Sequence, residues 1–478
     1  MERLYKKKPT RAELYVLLLY LSVFFTVGFL LVVRQPFHNA RPDLLAPPDE
    51  GDRFAVADYI YEYGTLPTGD EEEVQIPGYG GSYAYLPILP YIVMGNVMRA
   101  ASLFSEDISV LHIAARMVNL CFGTLMAFVV WLLGRRLFFR KTTLAVFCCG
   151  IMFLPQLLFL HTYVNTESMS LLSQALILYA LVRMSQEGTG VKNCLIFSAG
   201  AILCTLSYYN AYAYLLLSIP WFIYCCVDQR DGKRQLDVKR MLKGGGLIVL
   251  CWCLGAGWWF LRNILLHGDM LGLESLKKAQ ESVLQFGLRA PTPMQQGMSV
   301  FTMIAQPAFL QTVYHSFVAT YGSMSILPPG WIYISYRWVY ILLAVGLFLR
   351  CFMRIKAYRS CNGKGEKKQA QPGFLREYAE KERPSFLPAP CRGMMLLICI
   401  VTAGLWIYYC YALDFQMQGR YLMPCVIPLY FWLAAGEEEW SLLLKNEKMK
   451  IAAAALVCAF WLFILFSYVF GVAMPLYG

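Results

Sequence analysis

The sequence predicts an all-α polytopic membrane protein with about eleven transmembrane helices, on three observations. Of its 478 residues 58% are hydrophobic and only 15% charged, with a mean hydropathy of +0.47. A soluble chain of this length needs far more polar surface to cover its core. Apolar runs of about 20 residues, the length that crosses a bilayer, recur along the chain. Lys and Arg gather in alternate loops, the asymmetry that orients helices in a membrane. The net charge of +11 is carried by those loops, so no nucleic-acid partner is expected. The 16 cysteines lie almost all in or beside apolar segments. No CxxC is joined by a His cluster, so neither a disulfide framework nor a thiolate zinc site is expected.

The first run, Leu14–Val33, follows Lys6-Lys7-Lys8. It is longer than a signal-peptide core and no small-residue cleavage site follows, which reads as an uncleaved signal anchor. Spans are expected near 14–33, 110–134, 143–161, 167–184, 193–209, 211–227, 245–265, 331–352, 393–412, 420–436 and 450–470. Pro220, Gly255, Gly257, Pro424 and Pro428 interrupt some of them, as membrane helices tolerate when neighbours satisfy the backbone. With the amino terminus cytoplasmic, the inside segments hold 31 of the 42 Lys and Arg and the outside segments 11. That orientation makes the carboxyl terminus extracytoplasmic. A lysine-rich inner side, with no cysteine in either long outside loop, fits a bacterial plasma membrane.

The single transmembrane domain, 1–478, is expected to carry two long outside loops. The first, 34–109, has helix-like stretches at Asp49–Tyr63 and Pro87–Leu103. In the former, Phe54, Ala57, Ile60 and Tyr61 recur at helical spacing, suggesting a helix along the membrane surface. The fourth outside loop, 263–330, has amphipathic pieces such as Leu273–Leu284. Long ordered loops on a rigid bundle commonly hold function. The inside loop 354–392, polar and rich in Lys, reads as a flexible linker.

Several polar groups fall at the outer face on this topology. Asp49, Glu50 and Asp52 follow Pro47-Pro48, and Asn165 and Glu167 stand at the fourth span. Arg262-Asn263, His267 and Asp269 end the seventh, while Gln418, Arg420 and Tyr421 open the tenth. Charges at a membrane boundary are costly and so are functional candidates by default. Each also has a structural reading: Asp49 and Glu167 as helix-end acids, Arg262 and Arg420 as residues snorkelling to headgroups, His267 as a structural hydrogen-bonding residue. Together they suit transfer of a group from a lipid phosphate. A carboxylate takes the acceptor's proton, and guanidinium forks hold the phosphate. A divalent metal on Glu50, Glu167 and His267 is a further option.

These residues stand in a recognisable order. Pro47-Pro48-Asp49-Glu50 runs into Phe54-Ala55 and Gly64-Thr65-Leu66-Pro67, followed by Tyr163-Val164-Asn165-Thr166-Glu167. Downstream come Trp259, Arg262-Asn263, Gly268-Asp269 and Leu271-Gly272, then Ser316-Phe317 with Tyr321-Gly322, and Gln418-Gly419-Arg420-Tyr421-Leu422 with Pro424. The series resembles the GT-C superfamily of polyprenyl-phosphate-dependent membrane glycosyltransferases, nearest to the protein O-mannosyltransferase and lipid A aminoarabinose transferase group. The resemblance implies Asp49 as the base acting on the acceptor, with Glu50 and Glu167 in support, and Arg262, Arg420 and Tyr421 near the lipid phosphate. It also implies an inverting transfer to an extracytoplasmic acceptor. Glu167 stands where that pattern more often has Asp, His267 where an aromatic is frequent, and Tyr208-Tyr209-Asn210 lacks a basic residue. A transporter or flippase, and a non-catalytic envelope-assembly scaffold, are the rival readings.

Overall fold

The computed structural model describes residues 8–37, 44–230, 233–283, 291–362, 387–444 and 446–478. It is a helical bundle. The first helix, α1 (Arg11–Arg34), opens on a capping box in which Thr10 and Glu13 satisfy each other's backbone N–H groups. Its buried face, Leu17, Tyr20, Phe24, Val27 and Leu31, repeats every three or four residues and packs on α4 (Ile108–Leu137). Between them lie α2 (Glu50–Tyr63) and α3 (Leu89–Ser102), in place of the two helix-like stretches expected in the first loop.

The expected span 143–161 is broken into α5 (Lys141–Met152) and α6 (Pro155–Leu160). Pro155 has no N–H to continue the helix and pushes Leu154 into an extended conformation, φ −67° and ψ 117°. Next come α7 (Glu167–Glu187), α8 (Val191–Thr205) and α9 (Tyr212–Cys225). A hairpin unforeseen in the sequence follows: β1 (Val227–Arg230) pairs antiparallel with β2 (Lys233–Leu236), with Val227 opposite Leu236. The chain continues through α10 (Val238–His267), α11 (Leu273–Val283), α12 (Val300–Ile304) and α13 (Pro307–Val318). Helices α14 (Gly330–Asn362), α15 (Ala389–Ala412), α16 (Val426–Leu443) and α17 (Glu447–Tyr468) complete the bundle. The linker expected at 354–392 begins within α14, and its 363–386 portion lies outside the described residues.

Seven helices among the described residues are long and apolar enough to cross a membrane: α1, α4, α7, α10, α14, α15 and α17 with its short continuation. Helices α5 and α8 are apolar but shorter. The expected count of eleven is therefore not reached by length and composition. The main core joins α1, α4, α7 and α16, with α7 packed between α4 and α8 and buried on most of its surface. A second core, with Phe54, Tyr91, Met94 and Trp259, seats α2 and α3 on the ends of α4 and α10. Helix α10 keeps most of its apolar side chains exposed, as a lipid-facing helix does.

Candidate functional site

One end of the bundle gathers the end of α1, the starts of α2, α4 and α7, and a 3₁₀ turn (Gly419–Cys425) that leads into α16. Asp49, immediately before α2, takes a left-handed conformation, φ 57° and ψ 12°. Asp accepts this region more readily than most residues, at a cost that surrounding contacts must hold. Its side chain makes no capping hydrogen bond. Oδ2 instead accepts from Arg420 Nη2 at 3.4 Å, with the Asp49 side chain 40% exposed and that of Arg420 7%. The carboxylate is open on one side and faces a buried cation on the other.

Glu50, one residue on, is fully enclosed. It accepts from Arg116 Nε at 2.8 Å and Nη2 at 2.5 Å, and from the Val164 backbone N–H at 2.8 Å, with His112 Nε2 at 3.2 Å. Burial raises its pKa, but Arg116 and then His112 outweigh that and pull it down to about 2. Arg116 also donates to the carbonyls of Val32, Gln35 and Pro36. This latch ties α1, α2, α4 and the turn before α7 together around Asp49, and it leaves Glu50 no free oxygen for acceptor or metal.

A third ion pair lies beside these two. Arg53, one turn after Asp49, stands 3.9 Å from Glu167 Oε2, donates to Thr166 and Tyr91, and stacks 4.4 Å over Tyr83. Burial lowers the Arg53 pKa, but Glu167 and then Tyr91, Tyr83 and Asp49 more than offset it and hold the guanidinium charged. Asn165 shapes the entry to α7: its amide donates to Leu160 and Tyr163 carbonyls and its oxygen accepts from Ser168 N–H. Asp52 is half-buried in the first turn of α2, within electrostatic range of Tyr83.

Arg420 is placed by Gly419. A side chain there would run into the Val313 carbonyl oxygen, and the Gly419 N–H donates to Ser316 Oγ at 2.7 Å. From Arg420 a polar chain continues: Nη2 donates to Tyr421 Oη at 3.2 Å, Tyr421 Oη to Gln416 Oε1 at 2.5 Å, and Gln416 Nε2 to Asp414 at 2.7 Å. Gln418 joins it through Gln416.

The remaining sequence candidates are engaged elsewhere. Arg262 donates to the Pro67 carbonyl at 2.6 Å and lies over Trp259, anchoring the first loop. Asn263 is buried beside that core with its amide unpartnered among the described residues. His267 packs edge-on against Tyr85. Asp269 accepts from the backbone N–H groups of Leu271, Glu274 and Ser275, capping α11. Burial raises its pKa, but those N–H groups lower it further than burial lifts it.

Sequence reasoning missed Arg53, His112 and Arg116, and also Ser170 and Gln174, which lie near Glu167 and Arg420. Arg116 carried a signal, as a charge within the apolar run 110–134. Asp49 and Glu167 each face a guanidinium, Glu50 is taken by Arg116, and no group of three His, Cys, Asp or Glu suited to a metal occurs among the described residues.

No match to a curated protein sequence reaches significance. The fold is GT-C-like, similar to that of an archaeal oligosaccharyltransferase. It aligns with the oligosaccharyltransferase AglB of Archaeoglobus fulgidus in complex with an inhibitory peptide and a dolichol-phosphate at TM-score 0.52 and 13% identity, covering 96% of this chain and 56% of that one. The same archaeal enzyme in complex with Zn and sulfate aligns at TM-score 0.50 and 13% identity, over 94% of this chain and 52% of that one. Its apo form aligns at 0.50 and 13%, over 97% and 56%. The chain thus spans little more than half the length of these neighbours. The sequence profile of the DUF2142 family of predicted membrane proteins matches residues 60–429, and the chain belongs to that family.

Proposed function

We propose that the protein is a glycosyltransferase that moves a sugar from a polyprenyl phosphate to an acceptor on the extracytoplasmic side of a bacterial plasma membrane. The observation that carries this reading is the pairing of an open carboxylate, Asp49, with the buried guanidinium of Arg420 at the membrane end of a GT-C-like fold. Asp49 removes the acceptor's proton as the acceptor oxygen or nitrogen attacks the anomeric carbon. The bond from that carbon to the phosphate oxygen breaks with inversion, and polyprenyl phosphate leaves. Arg420, supported by Tyr421 and the nearby Arg53, stabilises the charge that develops on the leaving phosphate. Glu50 acts through Arg116 to hold Asp49 in place, and Glu167 keeps Arg53 oriented.

The test needs no knowledge of the acceptor. A strain lacking the protein should accumulate the unspent sugar-loaded polyprenyl phosphate, measured by mass spectrometry of membrane lipids. Wild-type protein should return it to baseline, while Asp49→Asn should leave it raised. An Asp49→Asn protein that clears the lipid as well as wild type removes the assigned base.

A further inference from the structure

Arg420 is enclosed on nearly every side. Its side chain is 7% exposed, and the cleft it shares with Glu167, Ser170, Gln174 and Tyr208 has a volume of about 10 Å³. That is the room of a single water, and a phosphate group, far larger, cannot enter there. The open approach to the guanidinium is the one Asp49 occupies. We propose that Asp49 is the counter-ion that the donor phosphate displaces from Arg420, so that donor binding itself releases the base for the acceptor. The proposal rests on the glycosyltransferase reading and deepens it: the site stays closed until the donor arrives, and donor binds before acceptor.

Three of the ion pairs lie at this end of the bundle, and they differ in what separation costs. Glu50 holds Arg116 through contacts of 2.8 and 2.5 Å, and the two side chains are 0% and 1% exposed. Glu167 and Arg53 are 10% and 7% exposed, and Arg53 is tied further to Thr166, Tyr91 and Tyr83. A carboxylate parted from its cation at either place stays buried, which is strongly unfavourable. Asp49 differs. Its side chain is 40% exposed, and it meets Arg420 through a Nη2 contact of 3.4 Å. Parted from Arg420 it is met by water, so its departure costs little. It makes no capping hydrogen bond, so swinging the carboxylate away leaves the start of α2 intact.

Arg420 gains from the exchange. A guanidinium presents its N–H groups as a fork that suits two phosphate oxygens at once. Here Nη2 is shared between Asp49 and Tyr421, and Nε is buried without a hydrogen-bond partner among the described residues. The backbone at Arg420 cannot follow the acid outward, because Gly419 packs on the Val313 carbonyl and donates to Ser316. The cation is anchored and the carboxylate is movable, which is the asymmetry an exchange needs.

The test is the affinity of the protein in detergent for bare fluorescent polyprenyl phosphate, which requires neither sugar nor acceptor. Asp49→Asn keeps the size of the side chain and tolerates the left-handed backbone. It should bind this lipid roughly threefold to tenfold more tightly than wild type, because a half-exposed ion pair no longer competes for Arg420. Tighter donor binding in a variant that no longer transfers sugar is the signature of the two roles of Asp49. Asp52→Asn removes the same charge three residues on and should leave the affinity unchanged. Equal gains in both variants mean general repulsion of the phosphate and overturn the exchange. So does an Asp49→Asn protein of unchanged thermal transition that binds no better than wild type; in both cases the donor reading stands. If Asn lowers the transition, Asp49→Gly, which also accepts this backbone, makes the same comparison. Wild-type protein that binds no polyprenyl phosphate takes the functional reading down with the proposal.

Discussion

Two neighbouring acids, Asp49 and Glu50, illustrate how local surroundings divide labour at the scale of single residues. Asp49 is open to solvent and opposed by one guanidinium, whereas Glu50 is sealed by Arg116, His112 and a backbone N–H. Asp49→Asn keeps a side chain that tolerates the left-handed region and should leave the thermal transition nearly unchanged, while transfer falls by about 10²-fold or more. Arg116→Ala should instead destabilise by about 3–5 kcal/mol, because it leaves the buried Glu50 without its guanidinium, held only by His112 and the Val164 N–H. Glu50's folded pKa is lowered, so its stabilisation is full above the unfolded carboxylate pKa of about 4.3 and is lost as pH falls through about 2. Thermal transitions in detergent should therefore drop over that window in wild type, while Glu50→Gln starts lower and stays flatter. Asp49 was legible in the sequence from its place after Pro47-Pro48 and before an amphipathic stretch. The latch was not, because its partners are 66 positions apart and a sequence shows a charge in an apolar run without showing what it pairs with.

At the scale of elements, the turn 419–425 sets where Arg420 points. Gly419→Ala would force the turn off the α13 backbone and should cost about 1–3 kcal/mol, with loss of polyprenyl phosphate binding well beyond what destabilisation alone explains. A thermal melt paired with a binding isotherm separates the two effects. Helices α2, α3 and α11 were readable because apolar residues recur at helical spacing between Pro, Gly and acidic end signals. The break between α5 and α6 was less so, since hydropathy averages over Pro155 and sees one apolar run. The motif at Gly268-Asp269 was seen, but its capping of α11 depends on backbone N–H groups whose direction the sequence does not carry.

At the scale of the whole molecule, the orientation proposed from Lys and Arg would put Asp49 and Arg420 outside. Cysteine introduced at Tyr79, an exposed position in the first loop, should react with a membrane-impermeant maleimide on intact cells. One at Lys239, at the start of α10, should react only after permeabilisation, and the reverse pattern would invert the topology. The fold class was legible from hydropathy and charge alone. The choice among polar candidates was not, because burial and pairing decide it: Arg420 meets Asp49, whereas Arg262 is spent on the first loop.

The central claim is that Arg420 and Asp49 frame a site for a polyprenyl phosphate. The most direct test is native mass spectrometry of the protein in mild detergent with added polyprenyl phosphate and excess ordinary phospholipid. Retention of one polyprenyl phosphate by wild type, and its loss in a folded Arg420→Ala, is the result predicted. Phospholipid adducts alone, or equal retention by the two proteins, would contradict the account.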